Sequence, residues 1–493
     1  MKDRPRSGSA RRRRWPTTAG GVALAAFVGF ASAGCMVGPD YRRPEANAPA
    51  SWNRLDSSEN PVVHAGQPDD VSEWWRRLQD SLLCQLVDDA LRGSPDLRMA
   101  QARLREARAR RGVAAAGLYP SLSASASASR SGSSGGSTPA TSLFSAGFDA
   151  VWELDLFGGI RRGVEAANAD QESLVASLAD TRVSLVAEVA RNYFEVRALQ
   201  IRLGISRDNL AIQAETLQLT SWRAQSGMVS SQDVEQARSN HEQTRAQIPT
   251  LETSLAEAEH RLDVLLGNVP GTLHGRLAAG GPLPTVPSQI AVGIPADTLR
   301  QRPDVRLAER QLAAETARIG VAQAARYPSL RLSGSIGIEA LRGGTGDGGG
   351  AVYSLLGGIT GPIFNAGRLR NQMVAQDAVR EQAKVAYQQT VLAALQEVEN
   401  ALVALVRNRE RGEALGRAVE AARRAADLAR QRYGAGVIDF QPVIDTQRTV
   451  LSFEDSLAST RADGVLALIR VYKAMGGGWP QRRESRPAPK DPT

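Results

Sequence analysis

Ser94-Pro95-Asp96-Leu97-Arg98 recurs roughly 208 positions later as Arg302-Pro303-Asp304-Val305-Arg306, and this repetition decides the architecture. Working outward, Tyr119-Pro120-Ser121-Leu122 recurs as Tyr327-Pro328-Ser329-Leu330. Asp155-Leu156-Phe157 aligns with Pro362-Ile363-Phe364, each followed by a small-residue turn and an Arg, and Gly227 to Val234 matches Gly436 to Val443. The landmarks keep one order and nearly one spacing, so the chain uses a single design twice. Each half reads helix, strand, strand, long helix, turn, helix.

The strands carry the sharpest pattern. Over 144–156 the even positions are Phe144, Ala146, Phe148, Ala150, Trp152, Leu154 and Leu156, while the odd ones include Ser145, Asp149, Glu153 and Asp155. Over 329–340 the even set is Leu330, Leu332, Gly334, Ile336, Ile338 and Ala340, against Ser329, Arg331, Ser333, Ser335 and Glu339. Period-two alternation of this length gives each strand one apolar and one polar face. Ser121 to Ser129 and, more loosely, Ala351 to Phe364 read as the partner strands. Ser131 to Thr138 and Gly343 to Gly350 read as the hairpin loops. The Gly343 tract lacks the Lys-Ser/Thr and the following helix of a phosphate-cradling loop.

A soluble sandwich also alternates, but a dozen residues tilted near 45° match the thickness of an outer membrane. Four strands cannot close a barrel, and an open edge in lipid leaves backbone groups unpaired. The expected solution is an α+β membrane protein of duplicated halves, in which three copies pool a 12-stranded β-barrel. Gly159 to Gln225 and Gly367 to Tyr433 contain no Pro, and each spans on the order of 100 Å as a helix. Val391, Leu395, Val398, Leu402 and Leu405 step as a coiled-coil seam, as do Val186, Val189, Tyr193 and Val196. These helices are expected to continue the barrel as a coiled-coil tunnel. A stand-alone coiled-coil rod leaves the strands unexplained.

The N-terminus reads as an export signal. Arg11 to Arg14 precede the short apolar run Gly21 to Phe30, then Ala31-Ser32-Ala33-Gly34 and Cys35. The Arg pair before Trp15 also admits a twin-arginine signal. Residues 1–34 hold Lys2, Arg4, Arg6 and Arg11 to Arg14 against Asp3, a net of +6 out of +8, so +2 remains after removal. That is no nucleic-acid footprint. Cys84 reads as a small apolar helix residue, and the chain has no disulfide framework. His64, His241, His260 and His274 show neither metal-ligand spacing nor triad order and read as surface residues, so no enzyme, metal or cofactor is expected.

These residues together resemble the TolC-type outer-membrane factors, in particular the lipoprotein branch typified by OprM and NodT. The resemblance runs from Cys35 to Trp479 and includes Cys35-Met36-Val37-Gly38-Pro39-Asp40-Tyr41 with Pro44, and Trp74-Trp75. Arg302-Pro303-Asp304-Val305 and Arg432-Tyr433 with Gly436 add to it. Ser32-Ala33-Gly34-Cys35 resembles a lipoprotein cleavage box with Ser where Leu is commonest, and Met36 in place of Asp favours the outer membrane.

The resemblance implies a homotrimeric, lipid-anchored outer-membrane channel, docked through a periplasmic adaptor to an inner-membrane RND transporter. It also implies export of small toxic molecules. Within channels the alternative is the duct of an ABC-driven protein exporter; outside them it is a lipid-anchored coiled-coil scaffold. The implied layout is a signal segment at 1–34, an anchored segment at 35–93, a first repeat at 94–267 and a linker at 268–301. A second repeat at 302–476 and a disordered tail at 477–493 complete it.

The implied gate lies at the helical tips, where Gly227, Met228, Val229, Gly436, Val437 and Ile438 would meet the adaptor. Asp445 would point inward near the closed end, where three copies repel anions and attract cations. Asp233 and Tyr433 match family positions joined by a phenol–carboxylate hydrogen bond that helps hold the closed state. Ile438 stands where the best-known member has a basic residue, so part of that closing network differs here.

Overall fold

The structure is a computed structural model; it describes residues 36–45, 49–52, 63–65, 71–132, 140–287, 290–292, 295–343 and 348–479. The expected signal segment 1–34, Cys35, most of the first hairpin loop and residues 480–493 lie outside the described residues. In chain order the elements are β1 (Val63–Ala65), α1 (Ser81–Gly93), α2 (Pro95–Ala116), β2 (Ser121–Ser131), β3 (Thr141–Leu154), α3 (Gly159–Gln225) and α4 (Ser231–Leu266). There follow α5 (His274–Leu277), β4 (Ile290–Val292), α6 (Pro295–Gln301), α7 (Pro303–Ala324), β5 (Ser329–Arg342), β6 (Gly348–Thr360), α8 (Arg368–Gly434) and α9 (Gln441–Ala474). The order α2-β2-β3-α3-α4 thus returns as α7-β5-β6-α8-α9, and α3 and α8 have 67 residues each.

Among the described residues, those within 1–42, 108–170 and 312–383 form one compact unit, which contains a four-stranded antiparallel sheet ordered β2-β3-β5-β6. The pairing register places Ala124, Phe148, Ile336 and Tyr353 in one row across the sheet. The adjacent row is Ser123, Asp149, Ser335 and Ser354. One sheet face is therefore apolar, as strand alternation allows, and the other carries the Ser and Asp side chains, with Val151, Val352 and Leu356 among them. Phe148, Ile336, Tyr353 and Leu355 are exposed. On the polar face Ser125 Oγ donates to Asp149 Oδ2 at 3.0 Å, and the Ser335 and Ser354 hydroxyls meet at 2.8 Å. Gly147 and Gly337 face each other where the backbones approach closely; a Cβ on Gly147 would lie 2.7 Å from Ile336 O.

The described residues within 43–107, 171–311 and 384–493 form the other unit, which holds the main core. Val186, Val189, Tyr193 and Val196 of α3 are buried there with Val398, Leu402 and Leu405 of α8, and Leu395 packs against the same cluster. The predicted seams are the core-facing stripes. Trp74 and Trp75 are buried and edge-on at 6.0 Å, and Trp74 stacks on Tyr472 at 5.3 Å. Cys84 lies on α1, half-buried against this core, and burial pushes its thiol up from the ordinary range.

Several expectations are corrected. β6 starts at Gly348, inside the tract read as loop, because three glycines give no alternation to read. The residues Gly477–Trp479, expected in a disordered tail, are packed: Gly478 donates its N–H to Val71 O at 3.1 Å, and Arg306 lies over the Trp479 ring at 5.8 Å. The pairing of Asp155-Leu156-Phe157 with Pro362-Ile363-Phe364 also fails. Gly158 (φ 77°) and Gly367 (φ 81°) both directly precede a long helix in the left-handed region, which aligns α3 with α8 two residues further along. Accordingly Phe157 stacks on Tyr327 at 4.6 Å, whereas Phe364 is exposed.

Candidate functional site: the paired helical tips

Two turns of the same design lie side by side in the second unit. α3 ends in a turn where Gly227 (φ 73°) follows, with Gly227 N–H donating to Ala224 O at 3.0 Å and Met228 N–H to Arg223 O at 2.9 Å. α8 ends with Gly436 (φ 73°), Gly436 N–H donating to Tyr433 O at 2.9 Å and Val437 N–H to Arg432 O at 3.0 Å. Both are helix ends closed through a left-handed glycine. Met228 and Val437 project outward and are 71% and 70% exposed. Val229 and Ile438 turn inward, against a cluster of Ala237, Ala429, Tyr433, Phe440, Val443 and Ile444. Of the six expected tip residues, the structure thus exposes the first side chain of each turn and packs the second.

The turns start their next helices differently. Ser230 caps α4 in a capping box: Asp233 N–H donates to Ser230 Oγ at 3.3 Å, and Ser230 N–H donates to Asp233 Oδ2 at 3.1 Å. At α9 the residue before the helix is Phe440, with no side-chain cap; its ring is buried and lies 5.2 Å from Tyr433.

The expected Asp233–Tyr433 hydrogen bond is therefore absent from this chain. The Asp233 carboxylate serves its own helix start, and the buried Tyr433 hydroxyl has no hydrogen-bond partner among the described residues. In its place stands Arg223. Its guanidinium donates to Tyr433 O and Gly434 O at 2.6 Å each and lies 4.6 Å over the Tyr433 ring. A cation thus sits at the carbonyl end of α8, the favourable sign for a helix C-terminus. A signal for it exists in the sequence: Arg223 and Arg432 each stand four residues before a tip glycine.

Asp445 is exposed on α9, and Gln441 Nε2 donates to its Oδ1 at 3.0 Å. Polar cross-links hold the helices beneath the tips. Arg448 Nε donates to Asn240 Oδ1 at 2.8 Å, and Gln447 Nε2 to the Thr216 hydroxyl at 2.8 Å. Gln236 Nε2 reaches Gln441 Oε1 at 3.3 Å.

Comparison with known proteins bears on this arrangement. The family model described as "Outer membrane efflux protein" matches residues 86–268 and 294–477. The chain belongs to the outer membrane efflux protein family. It is 33% identical over 464 residues to nodulation protein T of Rhizobium leguminosarum bv. viciae, covering 94% of this chain and 95% of that protein. It is 32% identical over 469 residues to the toluene efflux pump outer membrane protein TtgC of Pseudomonas putida, covering 92% and 95%. The solved outer-membrane channel OprN superposes with a TM-score of 0.83 at 36% identity, covering 90% of this chain and all of that one.

Within this outer membrane efflux protein no metal-binding cluster of His, Cys, Asp or Glu occurs among the described residues. His260 and His274 are exposed, and the Glu259 carboxylate at 2.8 Å holds His274 above its ordinary range. His241 departs from the surface reading: it is half-buried and meets Glu242 at 3.0 Å. The side chain of His64 lies outside the described residues. None of the described helices is long and apolar enough to cross a membrane.

Proposed function

We propose that the chain is one protomer of a trimeric, gated exit channel in the outer membrane, a passive conduit for small toxic molecules. An inner-membrane transporter would supply the energy and a periplasmic adaptor the link. One observation carries this: the sheet β2-β3-β5-β6 is apolar on one face and ends in two unpaired edges, β2 and β6. Unpaired backbone groups are costly in hydrocarbon, by several kcal/mol each, so the edges must be closed by further strands. Three copies supply twelve strands, with the Ser and Asp rows lining water and the Phe, Ile and Leu rows facing lipid. The long helices continue the conduit, the tips meet the adaptor, Asp445 lends the narrow end its negative charge, and Cys35 carries the lipid.

The similarity to a toluene efflux pump's outer-membrane protein favours small-molecule export over an ABC-driven protein duct. The sheet itself argues against a coiled-coil scaffold. The test is an in-cell photocrosslink from a photoreactive residue in place of Met228, read by mass spectrometry. Capture of an adaptor with a co-purifying RND transporter is the expected result. An ABC exporter would redirect the reading to protein secretion, and capture of neither by a trimeric, lipidated protein would revive the scaffold.

A further inference from the structure

The first described residues of the chain lie in a seat that a channel wall does not require. Val37 N–H donates to Phe157 O at 3.2 Å, and Tyr41 packs against Ala169, Ala313 and Ala314. Gly38 (φ 97°) passes so close to α7 that a Cβ there would lie 2.5 Å from Gly320 Cα. Met36 rests on Gly158, where a Cβ would lie 2.9 Å from Met36 Cα.

At the centre is Arg162, only 1% exposed. Its Nε donates to Val37 O and its Nη2 to Gly38 O, both at 3.1 Å. Nη2 also reaches Asp40 Oδ1 at 2.8 Å, and Nη1 reaches Glu165 Oε2 at 2.7 Å. Three of these four acceptors belong to the N-terminal segment, so the planar fork reads a backbone conformation as well as a charge.

The duplicated half supplies a control. With Gly158 equivalent to Gly367, Asn371 stands in α8 where Arg162 stands in α3, and Asn371 is exposed. Gly112 of α2 takes the place of Gly320 of α7, and nothing lies within 4 Å of a Cβ built there. A helix start of this design needs neither the buried arginine nor the close glycine. Both occur where the N-terminal segment crosses. That segment also touches both halves, Gly158 and Arg162 of the first and Ala313, Ala314 and Gly320 of the second.

We propose that Arg162 is the positioning residue of a built-in seat for the lipid-bearing N-terminus, fixing where the acyl chains enter the membrane relative to the foot of β3. The proposal rests on the lipid-anchor reading above. Cys35 directly precedes Met36 in the chain, and Met36 is the residue that rests on Gly158, so a lipid on Cys35 would be attached one residue before this seat.

The experiment uses the full-length mature protein in phosphatidylethanolamine–phosphatidylglycerol vesicles. Intact mass reads the lipid on Cys35, and then trypsin cleavage after the exposed Arg42 is timed. Arg162→Ala is expected to speed that cleavage at least tenfold, with helix melting and trimer content unchanged. Arg162→Lys, which keeps the charge and loses the fork, falls between. Gly38→Ala loosens the segment from its own side without altering α3, and is expected to match Arg162→Ala even if the arginine variant folds poorly. Equal cleavage rates in lipidated wild type and both alanine variants overturn the seat. A mature chain lacking lipid overturns the anchor reading, and with it the purpose assigned to the seat, before any protease is added.

Discussion

Helices α2 and α7 occupy the same place in the two halves and have 22 residues each, yet only one of them is covered. In α7, Val305, Ala308, Leu312, Ala313, Ala314, Ala317 and Ile319 are buried. In α2 only Leu97, Ala100, Leu104 and Ala107 are buried. The reason is company. α7 touches both long helices: Arg318 Nη2 meets Asp170 of α3 at 2.5 Å, and Gln376 of α8 donates to Glu315 at 2.8 Å. For α2 the corresponding link to α3 runs through Arg111 and Asn168. The strands repeat the lesson, since β3 is paired on both sides and β2 and β6 on one. In the trimer proposed above, the second flank of α2 belongs to another copy. That contact uses different chemistry, for Arg105 and Glu106 stand where α7 buries Ala313 and Ala314.

The largest effect tests this directly. Ser121 pairs with Val151 and Ser329 with Thr360, so Thr360 is the equivalent of Val151, and Ser125 that of Ser333. Within the chain Val151 opposes Ser333. If the junction between copies repeats the junction between halves, Thr360 of one copy opposes Ser125 of the next. Directly opposed residues in an antiparallel pair lie within disulfide reach. Thr360→Cys with Ser125→Cys, in a Cys84→Ser background, is expected to convert most of the protein to covalent trimers on non-reducing gels. Thr360→Cys with Ser129→Cys is expected to give little. The reverse result keeps the trimer and discards the register; monomers throughout, in protein correctly inserted in the membrane, discard the trimer.

A smaller effect asks how far the halves differ by need. Arg302, buried in the second half, donates to Asp304 Oδ2 and Glu397 Oε2 at 2.7 Å each and to Ala474 O at 2.9 Å. Its counterpart Ser94 is equally buried, and its hydroxyl has no hydrogen-bond partner among the described residues. Arg302→Ser is expected to cost about 2 kcal/mol in denaturant unfolding of the helical part, less than a fully orphaned buried charge because Glu397 stays solvated. A change below about 0.5 kcal/mol would mean the arginine network is no more than a solvated surface pair.

Smaller again is the expected effect of Arg223→Ala at the tips. It removes the two 2.6 Å hydrogen bonds to Tyr433 O and Gly434 O. Loosening that join should raise single-channel conductance in planar bilayers about twofold, on the order of 0.4 kcal/mol at 25 °C, a shift within the range of one net hydrogen bond. Unchanged conductance in folded trimers would make Arg223 a helix cap and no part of the gate.

What is legible in the sequence follows the physics of each element. Strand alternation is plain in β3 and β5 because one face is apolar and the other hydrogen-bonded, and the long helices are plain because no proline interrupts them. The start of β6 is hidden because Gly348, Gly349 and Gly350 show no side chain to either face. The packing of Gly477 to Trp479 is hidden by a composition that looks like a linker. At the tips, resemblance pairs Asp233 with Tyr433, although Ser230 three residues before Asp233 already spells a capping box. The nearer partner wins, since closing a bond within one helix turn orders far less chain than bridging two helices.

That competition sets the smallest effect and the sharpest question. The Tyr433 hydroxyl is buried and has no partner among the described residues, while its ring packs against Phe440 and beneath Arg223. Removing an unsatisfied buried hydroxyl and keeping the ring should leave stability unchanged or raise it by up to about 1 kcal/mol. Tyr433→Phe is accordingly expected to leave the conductance of the assembled channel where it was. A clear rise from Tyr433→Phe alone, matched by Asp233→Ala and not enlarged by combining the two, would mean that the hydroxyl finds its carboxylate on a neighbouring copy. The closing bond that the resemblance implies would then exist between chains and not within one, and the tips, like α2, would be complete only in company.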